Sequence, residues 1–322
     1  MFNSAFALLF LLLFMQFPVL CSESDIASTI LALVEKSKEI SDFKIGVRFL
    51  GGAAHFLGND INDFLNSKND YNFEMAKGNN RLIIDGEYKP INRSSYMLGE
   101  FFLNLSPRIG LGLGVGYQKG HSESKVFMQD PVYFSEDVEI TASLSSIPIA
   151  LSLYYTQPLN DWLNIVLSSG FSYTFGRVNW ESSSKTVTTV YAFTVDSKNR
   201  WNGKSNALGF HGNMNLEIKL SPNLALVFGG GGSYAKLKNL KGVLAIDVDS
   251  TGYKEKSTQQ NATLWYSEFE NFGYTYPRLD IRNMEPSGNS WKSVREAQVP
   301  LTSFGIQAGI KIIFGRLYRR ME

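Results

Sequence analysis

The sequence predicts an all-β protein, a closed antiparallel up-and-down barrel that most simply has eight strands. Apolar and polar residues alternate with a period of two in eight separate segments between residues 43 and 314, the pattern of strands with one apolar face. Six of these segments form three hairpins across short, proline-containing turns. Long connections separate the hairpins, so short turns and long connections alternate as they do in an up-and-down barrel.

Residues 1–22 are predicted to be a signal peptide. No charged residue occurs before position 21, and the apolar run at 5–14 is too short to span a bilayer comfortably. Cleavage is expected after Cys21 or Ser22, and a retained membrane anchor is the alternative. Cys21 is the only cysteine, so an intramolecular disulfide is excluded, while lipidation of Cys21 stays open.

Residues 23–42 are predicted to form a short amphipathic helix on the periplasmic side. Ile26, Ile30 and Leu33 recur at helical spacing, and Ser24 or Asp25 can cap the first turn.

Residues 43–315 are predicted to form the barrel, and residues 316–322 a C-terminal tail. The predicted strands are 43–50, 97–105, 109–117, 147–155, 163–175, 208–220, 224–234 and 304–314. The long loops are 57–95, 120–146, 179–206 and 236–303. Parts of them, such as 186–195 and 243–248, also alternate and could extend the barrel beyond the bilayer. This order puts every long loop at one end and both chain ends at the other. Residues 243–248 and 279–281 could pair as an added hairpin and give ten strands, but their flanking charges favour eight.

The composition of the two strand faces predicts which one meets lipid. Alternate positions from Gly110 to Gly116 are all glycine, and the polar faces of other strands carry small residues with sparse charges. Such a face suits a narrow lumen, whereas the other face carries large apolar residues on every strand. Outer-membrane lipid is therefore the expected partner. The aromatics predicted for the two membrane interfaces are Phe43, Trp162 and Phe314 toward the short turns, and Tyr117, Phe175, Trp180 and Tyr234 toward the loops.

Two segments, 145–175 and 103–117, resemble the small eight-stranded outer-membrane proteins of the OmpW and opacity-protein type. The last strand is similar to the C-terminal β-signal of such proteins, with Gln307, Gly309, Ile312 and Phe314 as the matching residues. The resemblance implies a location in the cell outer membrane and the outer-membrane assembly machinery as a partner during biogenesis. It departs at the end of the chain, because residues 315–322 follow the phenylalanine that usually terminates these proteins.

The sequence offers no pattern for catalysis or for a metal or cofactor site. The histidines His55, His121 and His211 have no paired spacing. The glycine run at 229–232 lacks the lysine of a phosphate loop. A net charge of +1 and the lack of a basic stripe argue against nucleic acid. We therefore expect no enzyme, no cofactor and no metal.

Charged residues on the polar face are the candidate site. Arg48 and Glu100 are expected at similar depth in the first two strands, and Glu217 has Lys219 and Lys311 as candidate partners. Pairing lowers the cost of burying these charges. A structural network is the favoured interpretation, and a gate for solutes or protons is the alternative.

The predicted function is that of an outer-membrane barrel with a structural role, a surface-interaction role, or passage of a small apolar or hydrophobic solute. The alternative is a secreted, soluble, lipocalin-like β-barrel that binds a hydrophobic ligand.

Overall fold

The computed structural model describes residues 43–190, 192–271 and 274–317. The predicted signal peptide, Cys21, the predicted helix at 23–42 and residues 318–322 of the predicted tail lie outside the described residues.

Antiparallel strands make up most of the described chain, together with one helix. In chain order the elements are β1 (Phe43–Phe56), α1 (Asp60–Gly78), β2 (Ile83–Glu87), β3 (Arg93–Asn104), β4 (Ile109–Asp130), β5 (Phe134–Pro158), β6 (Leu163–Thr188), β7 (Phe193–Ser221), β8 (Leu224–Leu237), β9 (Lys241–Ser250), β10 (Tyr253–Asn271), β11 (Tyr274–Arg282), β12 (Trp291–Glu296), β13 (Val299–Pro300) and β14 (Ser303–Leu317). The prediction of an all-β antiparallel protein is confirmed.

Hydrogen-bonded pairing passes through eight strands and returns to the first. The order is β1, β3, β4, β5, β6, β7, β8 and β14, and β14 pairs with β1. The ring is uneven, because β4 to β7 have 22 to 29 residues whereas β1, β3, β8 and β14 have 12 to 15. The short turns lie at one end of the ring, called here the short-turn end, and the other end is the long-hairpin end.

The predicted loops at 120–146 and 179–206 are mostly strand. The β4–β5 ladder continues to the pair Asp130 and Phe134, and the β6–β7 ladder continues to Thr188 and Phe193. The prediction of long loops is wrong here, because the period-two alternation continues beyond the last large outward residues. From there on, the polar residues face outward and the apolar residues face inward.

The exchange of faces is clearest on β6. Phe175 faces outward and Thr174 faces the interior of the ring, whereas a few residues later Arg177 faces outward and Val178 is buried inside. On β5 the outward residues change from Leu151, Ile149 and Ile147 to Ser145, Ser143 and Thr141, and the inward ones from Ser152 and Ala150 to Leu144, Ala142 and Ile140. The short-turn half of the ring is therefore apolar outside, and the long-hairpin half is apolar inside.

Strand β7 changes its partner along its length. Residues Gly209 to Ser221 pair with β8, whereas Val195 to Lys204 pair with β9. Strands β9, β10 and β11 follow one another away from the ring, and β12 also pairs with β10. The alternative hairpin of residues 243–248 with 279–281 is not formed, because β10 lies between β9 and β11. Neither segment enters the ring.

Helix α1 packs inside the long-hairpin half. Asn59 caps the helix, since its Oδ1 accepts from the Asn62 backbone N–H at 2.9 Å. Ile61 and Leu65 are fully buried in an apolar core. That core, called here the apolar cap, also holds Phe56, Phe64, Tyr88, Ile91, Val126, Leu144, Val178, Trp180, Trp201, Ala235, Leu237, Leu240, Leu264, Val299 and Leu301.

An ion pair fixes the start of α1. Both Asp60 carboxylate oxygens accept from the Arg295 guanidinium, at 2.6 and 2.9 Å, and one also accepts from the Gln298 backbone N–H at 2.6 Å. The helix lies within residues 57–95, where the sequence analysis expected a loop. The prediction missed it because the local apolar pattern is weak, and the helix depends on these tertiary contacts.

Raising the pH above about 10 is expected to loosen the apolar cap. Tyr88 is buried in the cap, and burial raises the pKa of its hydroxyl from 10.0 to about 12. A tyrosine with a raised pKa favours folding only while it is neutral, so this stability is complete below pH 10 and is lost as the pH rises toward 12. The protection factors of the α1 amides, which correct for base-catalysed exchange, should fall over that range, and fall less in Tyr88→Phe. An equal fall in Tyr88→Phe and in Tyr133→Phe, which alters an exposed tyrosine, would contradict this.

Candidate functional site

Two opposite charges meet inside the short-turn half of the ring. Arg48 on β1 lies directly across from Glu100 on β3. The Glu100 Oε2 accepts from Arg48 Nε at 3.1 Å and from Arg48 Nη2 at 2.6 Å. Arg48 is 2% exposed and Glu100 is 3% exposed, so water screens this pair little.

A second pair completes the site. Lys311 Nζ donates to both carboxylate oxygens of Glu217, at 3.0 and 2.8 Å. Arg48 Nη1 lies 3.9 Å from Glu217 Oε1 and links the two pairs. Arg48, Glu100, Glu217 and Lys311 are called here the charge cluster. Two acids and two bases balance one another, so no net charge is buried.

Lys219 lies outside the charge cluster. It is exposed at the short-turn end, and its Nζ donates to the Asp161 backbone carbonyl at 3.1 Å. Lys219 lies only two residues after Glu217 on β7, but it is at the end of the β7–β8 ladder. Its ammonium group can therefore be solvated by water. Four of the five predicted site residues therefore lie together, and the fifth does not.

Two aromatic residues that the sequence analysis did not select complete the cluster. Tyr154 donates its hydroxyl to Glu100, and its ring centroid lies 4.4 Å from the Arg48 guanidinium carbon. Lys311 Nζ lies 4.6 Å from the Phe102 ring centroid. Gly112 makes room for Tyr154, because a Cβ at Gly112 would come within 2.5 Å of the ring. Its place in the alternation could have identified Tyr154, because residues 152 and 154 lie on the same face of β5 and Ser152 marks that face as the polar one.

A cavity of about 130 Å³ lies inside the ring beside the charge cluster. Tyr96 donates to Gln307 at 2.9 Å, and Gln307 donates to Asn215 at 2.6 Å. His211 Nε2 lies 2.9 Å from Ser152 Oγ, while the buried Nδ1 of His211 has no hydrogen-bond partner among the described residues. This cavity, called here the chamber, has several polar groups that can bind water or a small polar solute.

The two ends of the chamber have different linings. Arg48 and Glu100 line it toward the short turns. Ala235 and Leu301, which belong to the apolar core, line it toward the long hairpins.

The residues of the predicted β-signal lie on β14. Gln307 points into the chamber, and Phe314 is 60% exposed on the outside. Ile312 pairs with Val47. Gly309 packs so tightly against β1 that an added Cβ would overlap the Phe49 carbonyl oxygen and lie 2.9 Å from Leu50 Cα.

Most of the predicted interface aromatics that can be checked lie on the outside of the ring. Trp162 is exposed at the short-turn end. The apolar outer surface of the short-turn half is called here the apolar belt, and Tyr117, Phe175 and Tyr234 are exposed at its other end. Trp180 was wrongly predicted. It is 9% exposed and packs edge-on against Phe64 with 5.8 Å between centroids, because the faces have exchanged at its level. The Phe43 side chain lies outside the described residues.

Two features are absent from the described ranges. No helix there combines the length and apolarity needed to cross a bilayer. Across the same ranges, no group of three or more His, Cys, Asp or Glu side chains could hold a metal ion.

Comparisons with known proteins find similarity among solved structures alone. No protein family matches the chain, and no curated protein matches it. Among solved structures, it is similar to the crystal structure of the outer membrane protease OmpT from Escherichia coli. The TM-score is 0.30, the sequence identity is 10%, and the match covers 85% of this chain and 96% of that chain.

This similarity corrects one expectation. No enzyme was expected from the sequence, and that expectation is contradicted because the similar structure is that of a protease. With 10% identity and a TM-score of 0.30, the comparison does not extend the protease activity to this chain.

Proposed function

We propose that the chain is an outer-membrane β-barrel closed by eight strands, which anchors a β-rich extracellular domain and keeps its own lumen shut. The exchange of faces along β4 to β7 carries this proposal. Water favours polar residues outside and lipid favours apolar ones outside. The outer surface changes from apolar to polar at the same level on neighbouring strands, which fits strands that leave a membrane at that level.

The dimensions of the apolar belt fit a bilayer. On β5 the large outward residues run from Ile147 to Tyr155, about the 9–11 residues that a tilted transmembrane strand needs. Exposed apolar residues of the belt also come from the other ring strands: Phe49, Phe101, Leu113, Phe171, Phe210, Phe228 and Ile310. Such a continuous apolar surface is larger than soluble proteins expose.

The lining of the chamber bears on the predicted roles. Passage of a small apolar solute needs a path that is apolar or wide, whereas this lumen holds a buried charge cluster at one end and the apolar cap at the other. Structural and surface roles therefore fit better than passage. Membership of the OmpW and opacity-protein type stays a prediction.

The soluble, lipocalin-like alternative fits less well. Such a barrel buries an apolar pocket and shows water a polar wall. Here the half with the chamber has the opposite arrangement, with Ser152, Asn215 and Gln307 inside and Leu151 outside.

An arginine in the middle of the apolar belt tests the proposal. Leu151→Arg should destabilise the protein in phospholipid bilayers by about 2 to 4 kcal/mol, because the guanidinium would lie near the bilayer midplane. Thr141→Arg is the matched control, on the same face of β5 but beyond the belt. Urea unfolding in bilayers measures both. Equal small effects, or recovery of the wild-type chain in the aqueous phase without detergent, would overturn the proposal.

A further inference from the structure

A row of cations crosses the outer surface immediately beyond the apolar belt. Lys119, Ser145, Arg177, Lys204 and Lys241 lie directly opposite one another on β4, β5, β6, β7 and β9. Residues directly opposite in an antiparallel ladder face the same side, and the four charged ones are exposed. One level of the sheet therefore presents four positive charges to the outside.

Two more lysines join the row. Lys236 and Lys238, from the end of β8 and the residue after it, line one groove together with Arg177 and Lys204. The groove encloses about 750 Å³. These six cations, Lys119, Arg177, Lys204, Lys236, Lys238 and Lys241, are called here the basic row.

No carboxylate neutralises the basic row. Within the part of the chain that the structure describes, none of the six cations forms a salt bridge, and Arg177 Nε donates instead to the side-chain oxygens of Asn179 and Asn202. Lysines farther toward the long-hairpin tips differ, since Lys125 and Lys254 each lie within 3 Å of a carboxylate oxygen. Like charges side by side repel, so the row gains energy from a bound anion.

The groove is apolar on its other side. Tyr117, Ile147 and Phe175 line it toward the belt, and all three are exposed. A ligand in this groove therefore meets cations at one end and aromatic and aliphatic surface at the other. That combination matches a phosphate group attached to hydrocarbon chains rather than a free ion.

We propose that the basic row binds the phosphate groups of an anionic lipid whose chains lie against Ile147 and Phe175. Arg177 can hold phosphate oxygens with two parallel hydrogen bonds, and the lysines contribute point charges. Cations next to a membrane-embedded surface attract anionic lipids in the same way. This proposal rests on the proposed membrane location.

The test is native mass spectrometry of the folded, full-length protein released from neutral detergent, titrated with phosphatidic acid or phosphatidylcholine. The variant Arg177→Gln/Lys204→Gln removes two charges from the row. Lys254→Gln/Lys256→Gln removes two charges from an exposed hairpin away from the groove. We expect the first variant to bind phosphatidic acid about 30-fold more weakly. The control should stay within about twofold of wild type, and phosphatidylcholine should bind more weakly than phosphatidic acid throughout.

Equal affinities of the two variants for phosphatidic acid would overturn the proposal. Displacement of phosphatidic acid by an equal concentration of inorganic phosphate would also overturn it, because the row would then bind free phosphate. Flotation with phosphatidylcholine vesicles separates this failure from that of the proposed function. A chain that does not float refutes both, whereas a chain that floats but shows no preference for phosphatidic acid refutes lipid binding alone.

Discussion

Replacing Glu100 with alanine is expected to destabilise the protein by about 3 to 5 kcal/mol, since it leaves a buried cation with no adequate partner. Glu100 accepts two hydrogen bonds from Arg48 and one from Tyr154. Without it, the only carboxylate near Arg48 among the described residues is that of Glu217, at 3.9 Å, and Glu217 is already bound to Lys311. Urea unfolding in detergent or bilayers, followed by the gel shift between folded and unfolded protein, measures the loss.

A double-mutant cycle separates pairing from packing. Arg48→Met/Glu100→Leu should recover much of the loss, because apolar residues of similar size need no partner. Glu139→Ala is the control, since Glu139 pairs with Lys125 at 2.8 Å but both are more than half exposed. Its cost should be below about 1 kcal/mol. Strictly additive effects of the Arg48 and Glu100 changes would show that these residues do not interact.

Replacing Gly309 with valine is expected to cost at least about 3 kcal/mol, because the added atoms overlap backbone rather than a flexible side chain. The Cβ would overlap the Phe49 carbonyl oxygen and come within 2.9 Å of Leu50 Cα. These atoms belong to β1, so the overlap lies in the ladder that joins the first and last strands of the ring. The folded fraction after refolding and the urea midpoint both measure the effect.

Gly51→Val is the matched control for Gly309→Val. Gly51 lies on β1 in the same ladder, opposite Ala308, but the nearest heavy atom to an added Cβ is 4.0 Å away. Valine also suits an exposed strand position. We expect little change in stability. A comparable loss in both variants would indicate that the ladder tolerates no branched residue, whatever the space around it.

The ring strands could be predicted from the sequence because each carries a period-two pattern of its own. The hairpin of residues 97–105 with 109–117 agrees with the pairing of β3 with β4 to within a few residues. The similar depth of Arg48 and Glu100 followed from counting along two strands, and the structure puts the two residues opposite one another. Both inferences depend only on local alternation and short connections.

The long-hairpin half could not be predicted in the same way. Its alternation is regular, but its apolar positions have the opposite parity, as Val138, Ile140 and Leu144 show beside Ile147 and Leu151. If the outside of a strand is assumed to meet lipid along its whole length, the strand is predicted to end where its outward residues become polar. Here the strand continues past that point with its apolar residues on the inward face. Strands β9 to β12 and helix α1 depend on contacts between distant segments, such as that of Asp60 with Arg295, and local patterns carry little of that information.

The site was predictable in its charges but not in its surroundings. Formal charge on a polar face identified the four members of the charge cluster. Lys219 has the same parity and differs only in distance from the end of the ladder, which a sequence-based strand boundary does not resolve to two residues. Tyr154 was missed because it carries no formal charge, and charge was the property used to select the site residues.

The uninterrupted course of β4 to β7 has a mechanical consequence. Each of these strands runs from the short turns to the hairpin tips without a break, so the part beyond the apolar belt and the part within it belong to the same backbone. A pull on the tip of a hairpin acts parallel to its strands and strains the interstrand bonds in shear, many at once. If flexible linkers joined the two parts instead, the outer part would move independently of the ring, and a pull would load the interstrand hydrogen bonds one after another. Drag or contact at the distal tips is therefore transmitted directly to the part of the ring within the apolar belt.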